Sequence, residues 1–296
     1  MTGPDASAGL PAVVLVAHDK PRHLRRLLAA LAPLPVFLHI DANTGDALHE
    51  QMTADLGPHV RLQPRLAAGW ARFEVLQAEL DGYRAALAQT DAEHVILATG
   101  ADYPLASVEA IVSQLAVHPE RSYAEVIPLP IPEWGPLRGY DRFLFRSRPW
   151  RGHRLALPVP RRLPRGLRPT GGAQTKILTR RHAQLVLDVL DDRPELVRWF
   201  RRCWTPDEVT IPTLLRSGLG AEWAAQISTG PHPWYIDWGN VPAKNPRWLG
   251  MGDLEPLRRA ASRPDVPALF ARKFAEDSDD LVAAVDTQLR LRTAAA

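Results

Sequence analysis

Ala12-Val13-Val14-Leu15-Val16-Ala17-His18-Asp19-Lys20-Pro21 opens with a five-residue aliphatic run that gives way to polar residues and a proline. Its length and β-branching predict a buried parallel strand. Pro21 stands where a first helical turn tolerates proline, and Leu24, Leu27, Leu28 and Leu31 recur at helical spacing. The alternation continues outward from there. Val36-Phe37-Leu38-His39-Ile40 predicts a second strand, stopped by turn chemistry at Asp41-Ala42-Asn43-Thr44-Gly45. Val60-Arg61-Leu62 predicts a short third strand, and an amphipathic pattern predicts a helix over 73–88. His94-Val95-Ile96-Leu97-Ala98 is a further strand ending in Thr99-Gly100-Ala101-Asp102, followed by a helix over 107–117 and a strand over 123–127. This β-α-β-α succession predicts an α/β fold with a mostly parallel sheet of Rossmann type, covered by helices on both faces.

The second half is less regular. Gly171-Gly172-Ala173-Gln174 leads into an apolar segment and a helix over 182–190, and Thr205-Pro206-Asp207-Glu208 opens another helix. Tyr235-Ile236-Asp237-Trp238 predicts a short strand, and Phe270-Ala271-Arg272-Lys273-Phe274 precedes a terminal helix striped by Leu281, Val285 and Leu289. With no internal repeat and no linker, residues 1–296 read as one domain, with a nucleotide-binding half over about 10–127 and a lid-like half over about 128–296.

Composition bounds the answer. The chain has 296 residues, 46% hydrophobic and 23% charged, which excludes a disordered or fibrous protein. No apolar run approaches the ~20 residues that span a bilayer, and the N-terminus has no basic region followed by an apolar stretch, so a cytoplasmic protein is expected. Cys203 is the single cysteine, which excludes an internal disulfide. The Arg/Ala/Pro-heavy composition suggests a high-GC bacterium. Net charge is only +3, but ten arginines stand between Arg138 and Arg168 against one acid, Asp141. Five prolines over 138–169 argue against a long helix or a central strand, so this stretch reads as a long basic loop. The loop reads as a solvated excursion or a contact for an anionic ligand; aromatics for base stacking are sparse there, and no nucleic-acid partner is expected.

In an open α/β sheet, ligands bind beyond the carboxyl ends of the strands. Those ends carry Ala17-His18-Asp19, His39-Ile40-Asp41-Ala42-Asn43 and Thr99-Gly100-Ala101-Asp102, so a site is expected there. Neither a Gly-rich dinucleotide fingerprint nor a phosphate loop is present. Asp41-Ala42-Asn43 reads either as an acidic metal-and-nucleotide motif or as a routine turn. His18, His39 and His94 read as strand-end packing or hydrogen-bonding groups. Glu208 falls in a first helical turn behind an N-cap-like Thr205, where it reads as a partner of the helix dipole or as a rigidly held general base. Lys273, flanked by Arg272 and two phenylalanines, reads as a snorkelling lysine or as a fixed counter-charge for phosphate.

Taken in order, these segments resemble one family, the core-2/I-branching β-1,6-N-acetylglucosaminyltransferases and their xylosyltransferase relatives, family 14 of the glycosyltransferases. Val14-Leu15-Val16-Ala17-His18-Asp19-Lys20-Pro21 is similar to the family's opening strand and helix, and Leu38-His39-Ile40-Asp41 to its second strand end. Gly69-Trp70-Ala71-Arg72 and Leu97-Ala98-Thr99-Gly100-Ala101-Asp102-Tyr103-Pro104-Leu105 follow, then Gly172-Ala173-Gln174, Pro206-Asp207-Glu208, Asp237-Trp238 and Phe270-Ala271-Arg272-Lys273-Phe274.

The resemblance implies a GT-A type fold and inverting, metal-independent transfer of a sugar from a UDP-sugar, UDP-N-acetylglucosamine first and UDP-xylose second. The acceptor is a hydroxyl of a glycan, a glycolipid head group or a small natural product. It implies Glu208 as catalytic base, Asp41 at the uridine end with His18 and Gly100 near it, and Lys273 on the diphosphate. Glu125, Glu133, Trp134 and Gln174 are the acceptor-side candidates. Trp234 stands where relatives often carry a diphosphate-binding arginine, and Lys244, Arg247 or Arg272 is expected to replace it. A non-catalytic sugar- or nucleotide-binding protein on the same fold is the alternative.

Overall fold

The computed structural model of the chain describes residues 9–151, 153–217, 227–228, 232–239 and 245–290. The first half runs β1 (Ala12–Ala17), α1 (Pro21–Leu31), β2 (Val36–Ile40), α2 (Asp46–Thr53), β3 (Val60–Leu62), α3 (Phe73–Gln89), β4 (His94–Thr99), β5 (Asp102–Pro104) and α4 (Val108–Val117). Then come β6 (Ser122–Tyr123), β7 (Ile127–Pro128), α5 (Tyr140–Leu144), β8 (Phe145–Trp150), β9 (His153–Pro160), β10 (Thr170–Gly171) and β11 (Lys176–Thr179). The rest comprises α6 (Arg180–Asp192), α7 (Pro194–Phe200), α8 (Pro206–Arg216), β12 (Ile227–Ser228), β13 (Trp234–Ile236) and β14 (Phe270–Arg272). Helices at Leu254–Ala261 and Asp279–Val285 bracket β14.

Among the described residues the main sheet has the strand order β12-β6-β11-β4-β1-β2-β3. Strands β4, β1, β2 and β3 run parallel, with Val16 of β1 opposite His39 and Thr99, so the three polar strand ends lie side by side. β11 inserts antiparallel between β4 and β6. Alternate residues of each strand feed two cores, as the period of two demands. Val13, Leu15, Leu38 and Ile96 pack on α1, α4 and the C-terminal helices. Val14, Phe37, Val95, Leu97 and Leu178 pack on α3, α6 and α8. The result is a mixed α/β fold with a mostly parallel, doubly covered sheet, compatible with a GT-A-like arrangement. Among the described residues no helix is long and apolar enough to cross a membrane.

Local chemistry accounts for the boundaries. Pro21 takes the first turn of α1, and Leu24, Leu27 and Leu31 are fully buried. The Ser107 and Thr179 hydroxyls accept the backbone N–H groups of Ala110 and His182, capping α4 and α6. Two expectations are corrected. The strand over 123–127 is two fragments in different sheets, β6 beside β11 and β7 beside β10. The basic loop over 138–169 contains α5 and a two-stranded antiparallel ribbon, β8 with β9. Both strands of such a ribbon are edges whose outward N–H groups need no protein partner, so Pro149, Pro158 and Pro160 are tolerated there.

One position of the α3 face is polar. Lys176 of β11, two residues before Leu178, is fully buried, and its ammonium donates to Glu79 Oε1 of α3 at 2.8 Å. The Tyr83 hydroxyl donates to the same oxygen at 2.7 Å. Removing one partner of a buried ion pair strands the other charge, at about 3–5 kcal/mol, whereas replacing both with apolar groups is often neutral. Lys176→Met is therefore expected to lose about that much stability in urea unfolding. The double variant Lys176→Met/Glu79→Leu is expected to recover most of it, and equal loss in both would show that a stranded charge is not the cause.

Candidate active site

The carboxyl ends of β1, β2 and β4 form one shelf. Asp41 Oδ1 accepts the backbone N–H groups of Asn43 at 2.8 Å and Ala68 at 3.1 Å, and the Asn43 side-chain amide at 2.8 Å. The Thr44 hydroxyl donates to the His18 carbonyl at 2.8 Å, tying the two strand ends together. The His18 side chain itself is exposed, with Nε2 3.6 Å from the Asp19 carboxylate, so of the packing and hydrogen-bonding alternatives it does not pack. His39 and His94 do serve such roles: Leu66 N–H donates to His39 Nε2 at 3.0 Å, and His94 Nε2 lies 3.1 Å from the Arg121 carbonyl. Burial lowers the pKa of both imidazoles. Gly100 lies against β1, where a Cβ would come within 2.9 Å of Ala17 Cβ.

Lys273 follows β14, which pairs antiparallel with β5. Phe274 N–H donates to the Ala101 carbonyl at 2.8 Å, fixing Lys273 beside the β4 end. Its ammonium lies 4.4 Å from the centre of the Trp248 ring, and the Lys20 ammonium lies 5.1 Å from the same ring. Burial lowers the Lys273 pKa, then the positive charges of Arg272 and Lys20 lower it further, with Asp19 opposing. Lys20 donates to Asp19 at 2.5 Å; among the described residues Lys273 has no ion pair. Two cations brought to one indole, one of them without a carboxylate, make a ready anion site.

The expected stand-ins for the arginine are occupied elsewhere. Trp234 is buried and stacked on Phe270 with ring centres 4.7 Å apart. Arg272 turns inward, its Nε 3.5 Å from the fully buried Asp102 carboxylate. Arg247 donates to Asp237 at 2.8 Å and to Asp253 at 2.9 Å. Lys244 lies outside the described residues. Lys20 is thus the second cation beside Lys273. Lys-Pro ahead of a helix carries no local signal of that role, and nothing local signals Trp248.

The second cluster gathers around α8. Glu208 lies in its first turn, half-buried, and Arg142 of α5 donates to Glu208 Oε2 at 2.5 Å. Glu208 Oε1 has no hydrogen bond among the described residues. The same guanidinium donates to the Thr205 hydroxyl at 2.5 Å and lies 3.6 Å from the centre of the Trp134 ring. Thr205 takes the expected N-cap position, but its side chain does not cap the helix: its hydroxyl donates to the Trp204 carbonyl, and its φ of 45° is left-handed. A β-branched residue held there costs about 1–3 kcal/mol, and such outliers concentrate at functional sites. Trp134 covers Gly171, where a Cβ would fall 2.0 Å from the ring, so only glycine admits the contact. Glu125 Oε2 accepts the Ala173 N–H at 2.9 Å. Burial raises the Glu125 pKa, the Ala173 N–H opposes this, and the Glu208 charge raises it again. Of the acceptor-side candidates, Glu125 and Trp134 thus join Glu208. Glu133 is exposed and Gln174 half-buried, and neither side chain forms a hydrogen bond among the described residues.

One loop joins the clusters. Ala68 is bonded to Asp41, and two residues on, Trp70 meets Trp204 edge to face at 5.2 Å, immediately before Thr205. Among the described residues no group of three or more His, Cys, Asp or Glu is placed to hold a metal.

A family model described as Core-2/I-Branching enzyme matches residues 14–258. No curated protein matches the chain.

Asp207 gives the cluster a pH signature. Burial, and then the Glu208 charge, push its carboxyl up to about 7. A carboxyl whose folded pKa lies above its unfolded value of about 4 contributes stability below that value and loses it as pH rises to about 7. Wild-type unfolding free energy is expected to fall across about pH 4–7, and Asp207→Asn to make that slope shallower and gain stability at pH 8. Urea titrations at a series of pH values measure this. An unchanged slope in the variant would place the proton on another group.

Proposed function

Since the chain belongs to the Core-2/I-branching enzyme family, a family of glycosyltransferases, we propose that it moves N-acetylglucosamine from UDP-N-acetylglucosamine to an acceptor hydroxyl with inversion and without a metal. The observation that carries this reading is the split of the site into a cationic shelf at the strand ends and a carboxylate cluster on α8. An inverting displacement needs that division: a base for the acceptor proton on one face, and positive charge for the leaving group on the other.

In this reading Asp41 and its backbone donors receive the uridine end, beside the His18 carbonyl and Gly100. Lys273 and Lys20 hold the diphosphate over Trp248, and their charge replaces a cation as the departing UDP becomes more negative. Asp41 Oδ1 already accepts three N–H donors, which supports a hydrogen-bonding rather than a metal-ligating role. Glu208 Oε1 takes the acceptor hydroxyl proton while Arg142 fixes the other oxygen. Trp134 and Glu125 supply the apolar platform and the hydrogen-bonding edge that a sugar acceptor needs.

Glu208→Gln is expected to leave UDP binding within about twofold and to lower turnover by about 10²–10⁴-fold, the usual worth of a positioned base. Near wild-type turnover in a folded variant would assign the proton transfer to another group. Product formation is expected to survive exhaustive chelation; loss that manganese or magnesium restores would overturn the metal-free reading. Lys273→Ala and Lys20→Gln are each expected to weaken UDP by about ten- to a hundred-fold in calorimetry while uridine hardly changes. Equal weakening of uridine would mean that the lysines support the fold rather than the phosphates.

A further inference from the structure

We propose that the β8–β9 ribbon is a docking surface for an anionic lipid membrane. The ribbon has two unlike faces. In its register Ser147 opposes Ala156 and Pro149 opposes Arg154, while Arg146 opposes Leu157 and Trp150 opposes His153. Two residues of the first set turn to the protein, although Ala156 is exposed: Ser147 is buried, and Arg154 donates to the Ser147 hydroxyl at 3.0 Å and pairs with Asp141 of α5. The second set faces away. Leu155, Leu157 and Val159, at alternate positions of β9, are 44%, 52% and 64% exposed, and Trp150 at the end of β8 is 53% exposed. Three aliphatic side chains and an indole in one exposed stripe are more than scattered surface residues, and a contiguous apolar patch marks an interaction site.

Charge decides what covers it. From Arg146 to Arg168 there are eight arginines and no acid. Arg146, Arg151, Arg162, Arg165 and Arg168 are exposed, and the Arg151 guanidinium lies 5.0 Å from the Trp150 ring centre. A second copy of the same face would bring arginines against arginines. Single-stranded nucleic acid would use Trp150 but would leave the leucines and the valine in water. An anionic bilayer surface meets all three features: phosphates for the guanidiniums, the headgroup boundary for the indole, and the upper acyl region for the aliphatics. The ribbon is also fastened to the site, because Asp141 pairs with Arg154 and the next residue, Arg142, holds Glu208. A membrane under the ribbon would therefore lie on the acceptor side. Membrane binding by the ribbon is independent of the transferase activity and is measurable without turnover.

The test is co-sedimentation of the full chain with vesicles of phosphatidylcholine alone or mixed with phosphatidylglycerol. Binding is expected to be about ten- to a hundred-fold tighter to the anionic vesicles and to weaken as salt is raised. Brominated lipid is expected to quench fluorescence that Trp150→Phe removes. Leu155→Ser/Leu157→Ser and Arg146→Gln/Arg151→Gln/Arg162→Gln are each expected to weaken binding at least about tenfold with unchanged thermal unfolding. The proposal is overturned by absent binding, by equal binding to neutral vesicles, or by binding that survives both variants. Tighter binding to DNA than to anionic vesicles, or a dimer that the leucine variant dissolves, would assign the face to those partners instead.

Discussion

The ion pair between Lys176 and Glu79 is the constraint on which the rest of the molecule depends. Burying two charges completely is unfavourable unless they meet each other, so α3 and β11 have one acceptable placement. β11 is the strand that turns the parallel sheet into a mixed one, and its register against β4 is set over Lys176 to Thr179. Gly171, Gly172 and Ala173 lie just upstream, so the backbone that runs beside Glu208 and Trp134 follows from the same strand. Gly172 N–H donates to the Glu208 carbonyl at 3.0 Å, so the backbone of Glu208 is referred to the same strand.

The carboxylates extend outward from this pair in order of exposure. Glu79 is fully buried and its pKa is raised by desolvation, with Lys176 opposing. Asp207 is buried beside Glu208 and feels both Glu79 and Lys176. Glu208 alone reaches the open side, where Arg142 answers its charge. The raised Asp207 pKa favours its protonated form and so lessens repulsion with the neighbouring Glu208, and the Arg142 guanidinium links Trp134, Thr205 and Glu208. The cationic shelf is assembled by a different route, from a lysine before α1 and a lysine after β14, with Trp248 beneath both.

Much of this was legible in the sequence, for physical reasons that differ by region. Strands such as Val13 to Leu15 and helices such as α1 have a hydrophobic period that burial alone enforces, and their ends follow from Pro21, Ser107 and the turn at Asp41-Ala42-Asn43. The ribbon was not legible, because proline arguments count lost hydrogen bonds and an isolated two-stranded ribbon has few to lose. Nor was the left-handed Thr205: its Ser/Thr identity signals a cap, and only the Arg142 and Trp204 contacts reveal another use. Of the site, Asp41, Glu208 and Lys273 stand within motifs whose order carries the information. Lys20, Trp248 and Arg142 acquire meaning only from contacts between residues far apart in the chain, which no local pattern encodes.

The central claim is that the shelf formed by Asp41, Lys20 and Lys273 receives a nucleotide sugar. The most direct test is thermal unfolding of the wild-type chain against a panel of nucleotide sugars, since a ligand bound only by the folded state stabilises it by mass action. A concentration-dependent rise in melting temperature is expected with UDP-N-acetylglucosamine and UDP, and a clearly smaller one with uridine at the same concentration. No shift with any nucleotide sugar, or a shift with uridine equal to that with UDP, would contradict it.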